Sequence, residues 1–157
     1  MSASRFSFLV AVHAFFLRNG KVLLLRRQHT GYMDGYWSVP AGHVDGSEKI
    51  LAAMRREIRE ETGLTEVSAA SKELVMHRVC SPTEERIDYF FVFTEWQGKA
   101  RVTEPDKSDA LKFFPLDNLP EKTVPYIRFA LEALQDNQEF LEFIEPSYDF
   151  NFPEELS

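Results

Sequence analysis

Three glutamates, Glu57, Glu60 and Glu61, lie close together in a segment of mixed charge. If this segment is helical, their carboxylates fall within a wedge of about 100° on one side of the helix. Like charges at these spacings repel one another, and the helix dipole disfavours anions in the last turn. Carboxylate oxygens are, however, the ligands that hard cations such as Mg²⁺ and Mn²⁺ prefer. The pattern indicates a metal site, with a solvated face neutralised by the interleaved arginines as the alternative.

The elements around these carboxylates can be predicted from local patterns. We predict a helix over residues 48–61, because apolar residues recur there at spacings of three and four and form one apolar face. Ser47 or Gly46 is the expected N-cap, and Gly63 suits the left-handed position beyond the C-terminus. Within this helix Arg56 can reach Glu60 one turn later. The carboxylates therefore lie at the edge of an apolar face.

Apolar runs without polar alternation, at residues 22–25 and 90–93, predict strands of a sheet that is covered on both faces. Asn19 and Gly20 stand between two apolar stretches and predict a tight hairpin. A second helix is predicted over residues 124–134, with Thr123 as a candidate cap and Pro125 in its first turn. Further strands are predicted at residues 37–39, 74–79, 87–96 and 111–114.

Composition bounds the class of protein. The chain has 157 residues, of which 44% are hydrophobic and 27% charged, which excludes an intrinsically disordered chain. The net charge of −7 disfavours binding to a nucleic-acid duplex, since phosphate backbones repel an acidic surface. A single cysteine, Cys80, cannot form an internal disulfide, and we find neither a signal sequence nor a membrane span. We expect a cytoplasmic protein with one domain over residues 1–145 and an acidic, aromatic tail over 146–157.

Residues 42–64 resemble a complete Nudix box. Gly42 stands five residues before Glu48, and seven more residues lead to the run R-E-I-R-E-E-T-G-L at 56–64. Every fixed position of the family pattern is filled, and the match is long enough to be highly specific. One small departure is Ala41, where many members carry a second glycine. The weaker resemblance outside the box extends over roughly residues 6–135.

The resemblance implies an α/β fold of the Nudix type, an α/β/α sandwich with a mixed sheet between helical layers. It implies that the three glutamates named above are metal ligands and that the backbone carbonyl of Ala41 contributes to metal binding. Arg56 and Glu48 match a pair that orients the loop and the helix. Mg²⁺, with Mn²⁺ as a second choice, is the implied cofactor.

The implied reaction is hydrolysis of a nucleoside diphosphate linked to another group. Phosphoryl transfer needs positioning and charge neutralisation, and a carboxylate must take the proton of the attacking water. Glu57 and Glu60 are candidates within the helix, and a loop residue is equally open. Glu104 and Asp109 lie where the family often brings a further acidic residue over the site, with a plain solvated turn as the alternative for Glu104.

Candidate substrate contacts lie around the box. Arg26 or Arg27, at the end of the second predicted strand, is expected to steer phosphates. Trp37 is a candidate for stacking on a base, although aromatic residues near turns are more often packing anchors. His43 is a candidate phosphate donor, with support of the loop as an equal alternative, and Glu104 is expected over the substrate.

The first functional hypothesis is a MutT-like pyrophosphohydrolase that converts a nucleoside triphosphate into a nucleoside monophosphate and pyrophosphate. Oxidised or noncanonical nucleotides are among its candidate substrates. The main rival is a nucleoside diphosphate-sugar or ADP-ribose hydrolase. A non-catalytic nucleotide-sensing module is a third hypothesis, weakened because all three box glutamates are retained. The expected partner is a small nucleotide, and a homodimer is compatible with the family.

Overall fold

The computed structural model describes residues 4–146, which form eight strands and two helices. In chain order these elements are β1 (Leu9–Arg18), β2 (Lys21–Arg27), β3 (Trp37–Ser38), β4 (Ala41–His43), α1 (Ile50–Thr62), β5 (Lys72–Ser81), β6 (Glu84–Phe93), β7 (Ser108–Pro115), α2 (Pro125–Gln135) and β8 (Phe140–Ile144). Within the same residues, neither helix combines the length and the apolar character needed to cross a bilayer.

The strands form a mixed sheet in the order β3-β2-β1-β6-β5-β8, with β4 paired to β1 and β7 paired to β2. The pairs β1–β6 and β5–β8 are parallel, and the other pairs are antiparallel. β1 therefore has neighbours along its whole length: β6 on one side, β2 and β4 on the other. This central position brings β4, which precedes the carboxylate helix, next to the inner strands of the sheet.

The two helices cover opposite faces of the sheet, so the predicted α/β/α sandwich is confirmed. On β1, Val12 and Phe16 face the cluster that includes Met54 of α1, whereas Phe15 faces the cluster that includes Ile127 of α2. All five side chains are fully buried. The continuous apolar strands reflect this burial on both faces.

The hairpin between β1 and β2 is confirmed at Asn19 and Gly20. Their φ angles are +54° and +71°, the pair of left-handed conformations that a two-residue turn of type I′ requires. Arg18 and Lys21 pair directly across this turn.

The predicted start of the first helix is wrong by two residues. α1 begins at Ile50, and its N-cap is Lys49, which makes no side-chain capping bond. Glu48 lies before the helix because its carboxylate accepts the Asp45 N–H over 2.9 Å and also binds an arginine of the helix. The predicted end is confirmed, since Gly63 follows the helix with φ of +77° and donates its N–H to the Arg59 carbonyl.

Two other local predictions need correction. Thr123 does not cap α2, since Val124 occupies that position and the Thr123 hydroxyl donates to the Pro120 carbonyl over 2.6 Å. Pro125 does stand in the first turn, as predicted. Strand β8 was not predicted at all, because its five residues show no clear alternation and its pairing with β5 is remote along the chain. Residues 147–157, which include most of the predicted tail, lie outside the described residues.

Candidate active site

The guanidinium of Arg56 connects three carboxylates. Its Nε and Nη2 each donate to Glu48 over 3.0 Å, and its Nη1 donates to Glu57 Oε1 over 2.7 Å. Glu60 Oε2 lies 3.5 Å from the same Nη1. The bonds from Arg56 lower the pKa of the Glu48 carboxyl to about 2, so this pair stays charged throughout the neutral range. Arg56 thus fixes the direction of the carboxylates that surround it.

Arg56 also holds the loop that precedes the helix. Its Nη2 donates to the His43 carbonyl over 3.2 Å and lies 3.4 Å from the Asp45 carboxylate. Together with Glu48, these contacts tie the end of β4 to the middle of α1. The pairing of Arg56 with Glu48 therefore positions the loop against the helix.

Glu61 binds the backbone of the strand that precedes the helix. Its Oε2 accepts the backbone N–H of Ala41 over 2.9 Å. Burial is the main cause that raises the pKa of its carboxyl to about 8, and the nearby negative charges of Glu57 and Glu104 raise it further. Among the described residues, no lysine or arginine forms a salt bridge with Glu61. The site therefore holds a carboxylate whose charge needs a cation.

Glu57 lies directly against the backbone of Gly42. A Cβ atom at position 42 would overlap the Glu57 carboxylate, so only glycine allows this approach. Burial is the largest cause that raises the pKa of Glu57, and the charges of Glu60 and Glu104 act in the same direction. The acidic groups of the site therefore lie close enough to repel one another.

These residues fit a divalent cation in their chemistry. No three carboxylate, imidazole or thiol groups of residues 4–146 converge as a ready-made metal cluster. Arg56 binds one oxygen of Glu57, and the Ala41 N–H binds one oxygen of Glu61. The donors are all hard oxygens, and the buried carboxyl of Glu61 has no lysine or arginine partner within residues 4–146. A divalent ion suits such donors, and only one oxygen of Glu57 is taken by Arg56.

The structure separates the two candidate loop acids. Glu104 is close enough to affect both Glu57 and Glu61, and its carboxylate lies 3.3 Å from Lys107 Nζ. Asp109 instead forms a bidentate pair with Arg26, at 2.7 and 3.1 Å. This pairing keeps Asp109 engaged elsewhere and leaves Glu104 as the loop acid beside the site.

A cavity of about 490 Å³ opens along Ala41 and Gly42, whose backbone contacts Glu61 and Glu57. Its wall includes the backbone of Ala41 and Gly42 and, from sequence-distant elements, the side chains of Arg27, Tyr32 and Tyr126. A smaller cavity of about 210 Å³ adjoins Glu61 and is also lined by Ala41 and Arg27. Arg27 therefore lines both cavities.

The floor of the larger cavity is a buried polar network. Arg78 donates to the Asp88 carboxylate over 2.8 Å, and its guanidinium carbon lies 3.6 Å from the ring centre of Tyr126. Both ring nitrogens of His13 are engaged, with the Tyr89 carbonyl at 3.1 Å and the Tyr126 hydroxyl at 3.0 Å. Burial lowers the pKa of His13 to about 4, so the ring is neutral at pH 7. The floor is therefore rigid and fully hydrogen-bonded.

Three of the four predicted substrate contacts, Arg26, Trp37 and Glu104, do not line the cavity. Arg26 is held by Asp109, and the ring of Trp37 packs edge-on against Phe114 with centroids 4.7 Å apart. Their roles in substrate binding stay predictions. His43 does line the cavity, as does Arg27, the neighbour of Arg26 on the other face of β2.

Sequence reasoning missed the floor of the cavity. Arg78 and Asp88 are both buried, but their strands also carry other charged residues. The sequence therefore gave no signal that distinguished these two buried charges from their more exposed neighbours. Tyr126 fitted the apolar pattern of its helix and gave no signal either.

Comparisons with known proteins show what the chain as a whole is similar to. The family model described as NUDIX domain matches residues 7–134. An RNA pyrophosphohydrolase of Caulobacter vibrioides is 30% identical over 132 residues, which cover 74% of this chain and 76% of that protein. An ADP-ribose pyrophosphatase of Methanocaldococcus jannaschii is 29% identical over 112 residues, or 71% of this chain, and the chain spans only 64% of that protein's length.

A solved structure of similar fold comes from Burkholderia pseudomallei. This MutT NUDIX hydrolase superposes with a TM-score of 0.73 and 33% sequence identity, covering 80% of this chain and 97% of that one. The similarity therefore extends over most of this chain and nearly all of that one.

Proposed function

The chain belongs to the NUDIX family, whose hydrolases act on pyrophosphate bonds, and we propose that it cleaves a nucleoside triphosphate into a nucleoside monophosphate and pyrophosphate. The observation that carries this proposal is the contact between the acidic cluster and the cavity. Glu57 lies against Gly42 and Glu61 binds the Ala41 N–H, while both backbone segments line the cavity of about 490 Å³. A ligand in that cavity would contact the backbone that Glu57 and Glu61 touch from the other side.

NUDIX hydrolases generally use divalent metals, and for this chain we propose Mg²⁺, with Mn²⁺ as a substitute. The proposed ligands are the carboxylates of Glu57, Glu60 and Glu61 together with the carbonyl of Ala41. When bound there, the ion would neutralise phosphate charge and lower the pKa of a coordinated water. The acidic cluster needs this positive charge, because burial and mutual repulsion raise the pKa of Glu57 and Glu61.

The remaining steps belong to the chain's own groups. Arg56, held by Glu48, keeps Glu57 and Glu60 on the side of the helix that faces Gly42. A carboxylate must accept the proton of the attacking water, and Glu57, Glu60 and Glu104 are the candidates in reach of the cluster. The raised pKa of Glu57 brings its basicity closer to neutral pH, which favours it for this role.

The cavity supplies the groups that a nucleotide needs. Tyr32 offers an aromatic surface that is 40% exposed, and the ring of Tyr126 with Arg78 closes the floor. Arg27 lies between the two cavities and is the proposed phosphate contact in place of Arg26. Pockets of this size commonly hold a nucleoside, with a few polar groups that fix its orientation.

A second candidate substrate is a nucleoside diphosphate-sugar or ADP-ribose. The observation that favours it is the similarity to a protein named as an ADP-ribose pyrophosphatase. We also propose that the protein acts on a small molecule, lies in the cytoplasm and forms a homodimer. The net charge of −7 continues to disfavour a nucleic-acid duplex.

The test is a panel of nucleoside tri- and diphosphate compounds, incubated with and without Mg²⁺, with the products identified by mass. We expect Mg²⁺-dependent release of a nucleoside monophosphate and pyrophosphate. The Glu60→Gln variant should lose most turnover, and the exposed Glu66→Gln variant is the matched control. Full Mg²⁺-dependent activity in Glu60→Gln would remove the proposed role, and a chain inert toward every compound would refute the proposed function.

A further inference from the structure

Arg86 of β6 reaches across β1 toward His43, the last residue of β4. Its Nη1 lies 3.2 Å from His43 Nε2, although the two residues are far apart in sequence. Because a guanidinium can only donate, His43 accepts this bond through a neutral ring. Both residues line the cavity together with Gly42, behind which lies the Glu57 carboxylate. Arg86 therefore lies at the boundary between the cavity and the acidic cluster.

The charge of Arg86 is poorly compensated. Its Nε is buried and has no hydrogen-bond partner among residues 4–146, and its contact with Glu84 is a 3.3 Å bond to a side chain that is 40% exposed. Directly across the strand pair, Arg78 is its register partner. Arg78 is fully paired, with Asp88 at 2.8 Å and Glu145 at 3.0 Å. Arg86 is thus the less neutralised of two opposed arginines.

A pair of arginines opposite each other on neighbouring strands is unfavourable by itself. A buried donor without a partner adds to that cost. An anionic ligand that occupies the cavity beside Arg86 would offset the repulsion between the two arginines. A phosphate group is the anion that planar guanidinium donors bind best, and the proposed substrates carry phosphate.

We propose that Arg86, oriented by His43, binds the phosphate closest to the nucleoside and so sets the register of the substrate across the Glu57 carboxylate. This inference rests on the proposed function, since it assigns one residue to the substrate of the same site. The nucleoside lies on the Tyr126 side of Arg86, and the pyrophosphate bond lies on the Gly42 side. Arg86 then favours nucleotides over free nucleosides.

The experiment compares the binding of adenosine and guanosine with that of their 5′-monophosphates. Binding to the full chain is measured by NMR titration in EDTA, so that any preference for phosphate comes from the chain's own donors. We expect the wild-type chain to bind at least one monophosphate at least tenfold tighter than its parent nucleoside. Arg86→Gln should abolish this preference and leave the nucleoside affinity unchanged, and Arg86→Lys should restore part of it.

The matched control is Arg18→Gln, an exposed arginine at the hairpin end of β1 that removes the same charge. It stands seven residues beyond Ala11 on that strand, about 23 Å away, and should keep the full preference for the monophosphate. The proposal is overturned if Arg86→Gln keeps the preference, if it weakens nucleoside and monophosphate equally, or if the wild-type chain shows no preference.

Failure of this inference is distinct from failure of the proposed function. Turnover of the nucleoside tri- and diphosphate panel is measured on the same protein samples. A chain that binds monophosphates through Arg86 and cleaves no pyrophosphate bond would refute the function and leave the phosphate site standing. A chain that cleaves pyrophosphate bonds equally well, with unchanged KM, in Arg86→Gln would refute the site and leave the function standing.

Discussion

The Ala41 N–H donates a hydrogen bond of 2.9 Å to the Glu61 carboxylate, and this bond joins the strand before the box to the last turn of its helix. Ala41 is also the residue whose carbonyl is a proposed metal ligand. One residue thus contacts the acidic cluster through its N–H and offers its carbonyl to a cation. The bond lowers the pKa of Glu61, but burial outweighs it.

We expect Glu61→Gln to make the metal-free protein more stable while removing its activity. In the folded state the pKa of Glu61 is about 8, above the unfolded value, so metal-free stability is greatest below about pH 4.5 and falls as the pH rises through about 8. At pH 7 the variant should gain about 2–3 kcal/mol in the free energy of unfolding.

Urea denaturation in EDTA at pH 5, 7 and 9 measures this effect, with Glu66→Gln as the exposed control. Mg²⁺ should then raise the stability of the wild-type chain more than that of Glu61→Gln, since binding to the folded state alone stabilises it. Equal stabilities of the wild-type chain and Glu61→Gln across this range would contradict the assigned burial of an uncompensated charge.

Gly42→Ala should reduce activity strongly, because the new Cβ would occupy the position of the Glu57 carboxylate. The side chain of Glu57 can turn away, so the stability cost should be about 1 kcal/mol. Gly46→Ala is the matched control, since nothing lies within 4 Å of a Cβ at that position. Turnover with Mg²⁺ and urea denaturation separate the two effects, and an active Gly42→Ala would show that the close contact is dispensable.

Arg78→Met should destabilise the protein by about 3–5 kcal/mol, because it leaves the buried Asp88 charge without its partner. Asp88→Asn should also destabilise it, whereas the double variant should cost less than the sum of the two. A double-mutant cycle by urea denaturation gives the coupling energy directly. If the two single variants lost less than 1 kcal/mol each, the network would not be a structural floor of the cavity.

His13 should make the protein sensitive to acid. Its pKa in the folded state is about 4, below the unfolded value, so its contribution is complete above about pH 6.5 and is lost as the pH falls through about 4. The shift corresponds to about 3 kcal/mol. An NMR titration of the His13 ring in the Glu61→Gln background isolates this group, and protonation near pH 6.5 would contradict its burial.

The sequence by itself determined the features that depend on neighbouring residues. The hairpin at Asn19 and Gly20, the helix end at Gly63 and the three glutamates on one side of α1 follow from local backbone geometry and helical spacing. The two-sided sheet followed from apolar runs, since a strand without polar alternation must be covered on both faces. The start of α1 was predicted two residues too early, because Glu48 binds Arg56 instead of entering the helix.

The tertiary structure decided what surrounds the substrate. Arg86 meets His43, and Arg78 meets both Asp88 and Tyr126, only because strands remote in sequence pair in one particular register. Likewise, the register and alternation of β2 place Arg27 in the cavity and Arg26 on Asp109. The metal chemistry lies in one helix and can be predicted from spacing, whereas substrate recognition depends on contacts between strands whose pairing local patterns do not specify.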